Sequence, residues 1–222
     1  MLNNQKGIPI KDGDLFILYS NPFRFLYLAA ESLIKDATQA ATKNDRETEV
    51  NHSIGAIVLL LLSTEALINR VYEGFIRSKF PKWVNEEISD KWSFTMKWYF
   101  APLLFEFRDN AKTFEVDKEP WQSFSELKKI RDYFAHPKPL SYPLTILNAE
   151  KKIMDFTEGD IPRWPQTKIP KDLNHLRVSD GQKVLETIKQ MIDKLDSFMG
   201  GIIRKDNWFL TEQMHKDEKA DE

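Results

Sequence analysis

Three residues near the middle of the chain have the types and spacing to do chemistry together: Arg131, Asp132 and His136. They close the stretch Ser123-Phe-Ser-Glu-Leu-Lys-Lys-Ile-Arg131-Asp132-Tyr133-Phe134-Ala135-His136-Pro137-Lys138-Pro139. Histidine exchanges a proton near neutral pH, and a positioned acid–base group contributes about 10²–10⁴-fold to a rate. Arginine carries a planar fork of N–H donors that matches phosphate oxygens. On a helix, Asp132 and His136 share a face, and both the carboxylate and the helix C-terminus would favour the imidazolium. Arg131 falls about 140° round the helix from His136, at about 100° per residue. One copy therefore does not converge its own Arg and His. Two antiparallel copies across a two-fold axis would share a cleft with two of each. Lys128, Lys129 and Lys138 make the surroundings locally basic. A plainer role competes: Arg and His at a helix end offset its dipole, and the lysines form a solvated face.

The elements that must position these residues are helices. Asn21-Pro22 reads as an N-cap and first-turn proline, opening a helix from Pro22 to about Thr42. A longer helix is expected from about Glu47 to Ser78, with Ile57–Leu62 apolar all round and one face reading Val58, Leu62, Glu65, Asn69, Tyr72, Ile76. A third runs from about Glu86 to Arg108, with Pro102 expected to kink or restart it. Pro120 opens a short helix whose apolar positions are Trp121, Phe124, Leu127, Ile130 and Phe134, and Pro137 ends it at or just before His136. Six of the eleven prolines lie between Pro137 and Pro170, so this is an insertion, with Ile146–Phe156 a strand or short helix. Ser179–Gln182 opens the last helix, to about Phe198, and Gly200-Gly201 stops it. Leu15–Tyr19 is a strand or a helix lead-in, and Lys216–Glu222 is a frayed, charge-rich end.

The fold class is thus all-α: a bundle of about four to five helices, the 47–78 helix central and the 182–198 helix outside. Residues 1–46 form an N-terminal extension with one helix, 47–203 the bundle with its 137–178 proline-rich insertion, and 204–222 a charged tail.

Composition narrows the chemistry. The 222 residues include no Cys, which excludes disulfide frameworks, cysteine-rich zinc sites and cysteine nucleophiles. With no secretory leader legible, a cytoplasmic setting is expected. The longest apolar run, Ile54–Leu62, is too short for a bilayer, which needs about 20 residues, so no membrane partner is expected. His52, His175 and His215 stand singly, without paired-ligand spacing, so neither a metal nor another cofactor is expected. The net charge of −2 excludes a globally basic coat but not a local patch. The 15 Phe, 6 Trp and 6 Tyr, including Trp92–Phe100, read as core rather than a base-stacking platform. Glu65 and Asn69 read as a buried polar pair satisfying an inter-helix hydrogen bond; the sharper alternative is that one of them reaches and orients the Arg131/His136 site.

The Arg131–His136 stretch resembles the signature of the HEPN superfamily: an Arg, a polar residue after it, and a His four to six positions on. Arg131, Asp132 and His136 fill those positions with a spacer of four, at the end of a helix that follows a long apolar one. Leu61-Leu-Ser-Thr-Glu65-Ala-Leu-Ile-Asn69 also resembles that family's first core helix. The resemblance spans roughly residues 50–200; the 137–178 insertion is longer than the family's usual connection, and the first 45 residues have no counterpart. It implies a metal-independent endoribonuclease acting as a homodimer on single-stranded RNA, with no cofactor. His136 would be the general acid/base, Arg131 would stabilise charge on the phosphorane, and Asp132 would orient the histidine. Lys128, Lys129 and Lys138 would bind RNA. It further implies a role in toxin–antitoxin or antiphage defence, with an antitoxin or other partner protein. Two alternatives stand beside it. One is a non-catalytic scaffold of the same type that binds a nucleotide, RNA or a partner protein. The other is an unrelated helical enzyme with Glu65 as acid/base.

Overall fold

Helix formers and helix stoppers alternate along the sequence, and the computed structural model describes a predominantly helical chain over residues 2–3, 16–19, 21–106, 112–136, 145–148, 153–155, 161–205 and 212–216. In chain order the elements are β1 (Leu2–Asn3), β2 (Phe16–Tyr19), α1 (Pro22–Thr42), α2 (Arg46–Val71), α3 (Lys82–Lys91), α4 (Phe94–Glu106), α5 (Trp121–Ala135), β3 (Thr145–Asn148), β4 (Ile153–Asp155), α6 (Val178–Phe198) and β5 (Glu212–Lys216). Contacts gather them into two compact units: Met1–Leu28, Leu62–Phe114 and Ile192–Glu222, and Ala29–Leu61 with Glu115–Met191.

In the first unit, Asn21 Oδ1 accepts the Arg24 N–H at 3.2 Å, the N-cap read from sequence. The end of α2 passes into one turn of π-helix, Tyr72–Ile76, and then a 3₁₀ turn, Arg77–Lys79. Such a turn carries one residue more than the α-helix, so the phase of side chains shifts across it. Along the expected stripe Leu62 and Asn69, ahead of this turn, are exposed, whereas Tyr72 and Ile76 within it are buried. The helical run Arg46–Lys79 is long and apolar enough to cross a membrane by length and composition, a property shared by buried core helices. Ala56, Ile57, Leu60, Leu61, Leu67, Ile68 and Val71 on it are buried within the protein.

The expected third helix is two helices. The break falls at Trp92-Ser93, not at Pro102, which lies buried inside α4. Ser93 explains the break, because its Oγ accepts the Met96 N–H at 3.3 Å and caps α4. Phe114 then packs edge-on against Trp98 and Phe198, with ring centroids 6.4 and 5.2 Å away. Gly200 and Gly201 adopt positive φ (69° and 81°), which only glycine takes readily, and Asp196 Oδ1 accepts the N–H groups of Ile203 and Arg204. A small sheet of order β1-β5-β2 joins residues from both ends of the chain: β5 runs parallel to β1 and antiparallel to β2. Part of the 204–222 stretch is therefore a central strand. Residues 217–222 lie outside the described ones.

In the second unit, Gly55 lets α1 and α2 approach closely, since a Cβ there would come 3.0 Å from Leu33 Cδ1. At Gly181 of α6 a Cβ would meet Ile34 of α1 at an ordinary contact distance, 3.7 Å. α6 begins at Val178, so the Ser179–Gln182 stretch expected to cap a helix from Gln182 lies inside its first turns. Its opening is capped by Asp180, whose Oδ2 accepts the Arg177 N–H at 2.9 Å, the reciprocal half of a capping box. Glu49 of α2 adds a second cap. Its Oε1 accepts the Val178 N–H at 3.1 Å, while Oε2 takes Arg46 at 2.9 Å and Arg177 at 3.2 Å. Val184, Ile188 and Met191 then bury one face of α6 in this unit; each such side chain contributes about 1.5–3 kcal/mol. In the proline-rich insertion, β3 and β4 pair antiparallel, the strand alternative for Ile146–Phe156.

Candidate functional site

The site grows out of α5. Glu119 opens it, its carboxylate accepting both the backbone N–H (3.2 Å) and the hydroxyl (2.8 Å) of Ser123. Trp121, Phe124, Leu127 and Ile130 recur at three-residue steps and are all buried, which fixes one face of α5 inward. The helix ends where Pro137 requires. His136 turns away at φ −135°, ψ 64°, its N–H still bonded to the Asp132 carbonyl at 3.1 Å. Its side chain is exposed at the negative end of the helix.

Arg131 is 27% exposed and directs Nε and Nη2 at Asp132 Oδ1, 3.2 and 3.1 Å away. Lys128 Nζ approaches the other carboxylate oxygen at 4.0 Å. Asp132 thus sits between two cations, and its partners among the described residues do not include His136. The long Arg131 side chain folds back onto its neighbour's short carboxylate. Lys129 is exposed, and Lys138 lies outside the described residues.

Glu65 and Asn69 belong to the first unit. Asn69 is exposed rather than buried, and its Oδ1 accepts Lys97 Nζ of α4 at 3.0 Å; the same ammonium reaches the Ser89 carbonyl at 3.2 Å. The inter-helix hydrogen bond expected of this pair is present at Asn69, without the burial. Glu65 is half-buried. Tyr72 hydrogen-bonds the Lys97 carbonyl at 3.3 Å, and burial raises its phenol pKa. Among the described residues, no three His, Asp or Glu side chains gather as a metal site requires.

A second element, not evident from the sequence, stands beside α5. Glu126 is 5% exposed, and its carboxylate accepts the Gln166 N–H (3.2 Å), the Thr167 N–H (2.7 Å) and the Thr167 hydroxyl (2.8 Å). This ties the turn 162–171 to α5. The turn is closed internally by Trp164 N–H to Ile169 O, 2.9 Å, and Lys171 N–H to Pro162 O, 2.8 Å. Trp164 meets Tyr133 of α5 edge-on at 6.0 Å, and Lys171 Nζ lies 5.0 Å from the Trp164 ring centroid. Lys168 holds a positive φ of 59°, with Nζ on the Pro165 carbonyl at 2.6 Å. The available signal was Arg163-Trp-Pro-Gln-Thr-Lys168-Ile-Pro-Lys171, cations spaced around a Trp between prolines.

Compared with known proteins, the chain matches no family model, no curated protein and no solved structure. The class defined by the structure is a predominantly helical protein whose α5 ends in a partly exposed Arg131 and exposed Asp132 and His136.

Proposed function

We propose that the chain is an HEPN-like protein that binds single-stranded RNA at the C-terminal end of α5, acts as a homodimer, and cleaves the RNA without a metal. The observation that carries this reading is the exposed His136 at the end of the helix that also carries Arg131, Lys128 and Lys129. His136 moves the proton of the 2′-hydroxyl or of the leaving oxygen. Arg131 stabilises charge on the phosphorane, and Asp132 holds its guanidinium, a positioning role in place of the one expected toward His136. Dimerisation supplies the convergence that one α5 lacks.

The test is cleavage of a labelled single-stranded RNA in EDTA. His136→Ala is expected to lose at least about 100-fold in rate while keeping its fold. Equal cleavage by wild type and His136→Ala overturns the role of His136. Refolding an equimolar mixture of Arg131→Ala and His136→Ala subunits is expected to restore about a quarter of wild-type activity, because half the dimers are mixed and each of these keeps one of the cleft's two Arg–His pairs. No restoration overturns the shared cleft. The pairing of Arg131 with Asp132 favours a second reading, a non-catalytic scaffold of the same type whose helix end only binds RNA. RNA binding with no cleavage in any variant selects it.

A further inference from the structure

Resting on the RNA-binding reading, we propose that the turn 162–171 is a second wall of the same surface, where Lys168 and Lys171 hold the sugar–phosphate backbone of the strand that passes His136. Helical phase supports the placement. Glu126, Lys129, Tyr133 and His136 follow one another at three- and four-residue steps along one flank of α5. Glu126 anchors the turn at one end of that row, and Tyr133 meets Trp164 within it. The turn thus lies along the flank that ends at the candidate histidine.

The anchor's chemistry matters as much as its position. Glu126 is satisfied by neutral N–H and O–H donors, so the turn is fixed without drawing on its lysines. Lys168 rests on a carbonyl oxygen and Lys171 on an indole face, contacts that leave the positive charge uncancelled. Together with exposed Lys129, they form a local cationic strip on a chain of net charge −2. A polyanion with evenly spaced charges fits such a strip. A single-stranded nucleic acid also bends enough to follow both turn and helix. The Trp164 ring is already faced by Lys171, so the strip reads phosphate and not bases. Far from replacing the cleft, this part of the proline-rich insertion extends it.

The experiment is fluorescence anisotropy of a labelled 20-nucleotide oligouridine against full-length protein over a KCl series. Wild type, Lys168→Gln/Lys171→Gln and His136→Ala are compared, with thermal melts as fold control. The double variant is expected to bind at least about tenfold more weakly, and the slope of log affinity against log salt should shrink by about 1.4, or about 0.7 per lost phosphate contact. If the double variant does not fold, Lys168→Gln alone should shrink it by about 0.7. An unchanged slope in the variant, with His136→Ala still inactive in cleavage, overturns the turn's role and leaves the function standing. Absence of RNA binding by wild type overturns both.

Discussion

Two buried glutamates fasten the same stretch of chain to two different helices, and they do it with opposite chemistry. Glu49 of α2 holds residues 177–178 through the Arg177 guanidinium and the Val178 N–H, with Arg46 of its own helix as a second ionic partner. Glu126 of α5 holds residues 166–167 through two backbone N–H groups and one hydroxyl. Around Glu49 the acid is held by ionic partners, two guanidinium groups on one carboxylate. Around Glu126 the acid uses neutral donors only, and the neighbouring Lys168 and Lys171 rest on a carbonyl oxygen and an indole face. The two anchors therefore differ in kind, one ionic and one built from neutral hydrogen bonds.

The sharpest way to break this contrast is Glu126→Ala. It leaves the Gln166 and Thr167 donors without their acceptor, each costing about 1–3 kcal/mol, so a loss of about 3–4 kcal/mol in urea unfolding is expected, with changed Trp164 emission. Glu49→Ala should cost less, about 2–3 kcal/mol. Arg177 is 56% and Arg46 34% exposed, and water can take over much of their hydration. Raising KCl to about 1 M should shrink the Glu49 effect and leave the Glu126 effect nearly unchanged, since salt screens only the ionic anchor. Equal salt responses would erase the distinction.

Acid sharpens the comparison further. Burial alone raises the Glu49 pKa, but the Val178 N–H, Arg46 and Arg177 more than offset it, leaving the carboxyl below its ordinary 4.5. A folded value below the unfolded one gives stability that is present above about pH 4.5 and lost as pH falls through the folded value. Asp180 runs the other way. Burial raises its pKa above 3.8, with the Arg177 N–H and nearby cations only partly opposing, so the folded state takes up its proton first and gains relative stability as pH falls. Urea midpoints at pH 6, 4 and 3 should show a shallower acid decline in Glu49→Gln than in wild type. The smallest effect belongs to Asp132→Ala: half-exposed, it should change stability by under about 0.5 kcal/mol.

Local signals in the sequence were read well, and distant ones were not. Asn21-Pro22, the Pro137 stop after His136 and Gly200-Gly201 each act within a few residues, and each element ends where they require. The split at Trp92-Ser93 was hidden because Pro102 looked the stronger breaker, while the Ser93 cap did the work. Pairing of β2 with β5 joins residues nearly 200 positions apart, and nothing local in either strand names its partner. Glu126 lay among the apolar positions of α5 with donors 40 and 41 residues away. At the candidate site, residue types and exposure were legible. The partner of Asp132 was not, because four-residue spacing argued for His136 while the longer side chain next door reached it first.

The π-helical turn Tyr72–Ile76 carries a consequence of another kind. A surplus residue inside a helix cannot be undone by exchanging one side chain for another. Only shortening the chain restores the α-helical count. Deleting one residue there would let the turn close as α-helix and leave the Arg77 and Lys79 side chains and the start of α3 facing much as they do, because the wide turn already absorbs the surplus rotation. The same deletion one turn earlier in α2 has no such slack and would turn everything downstream by about 100°.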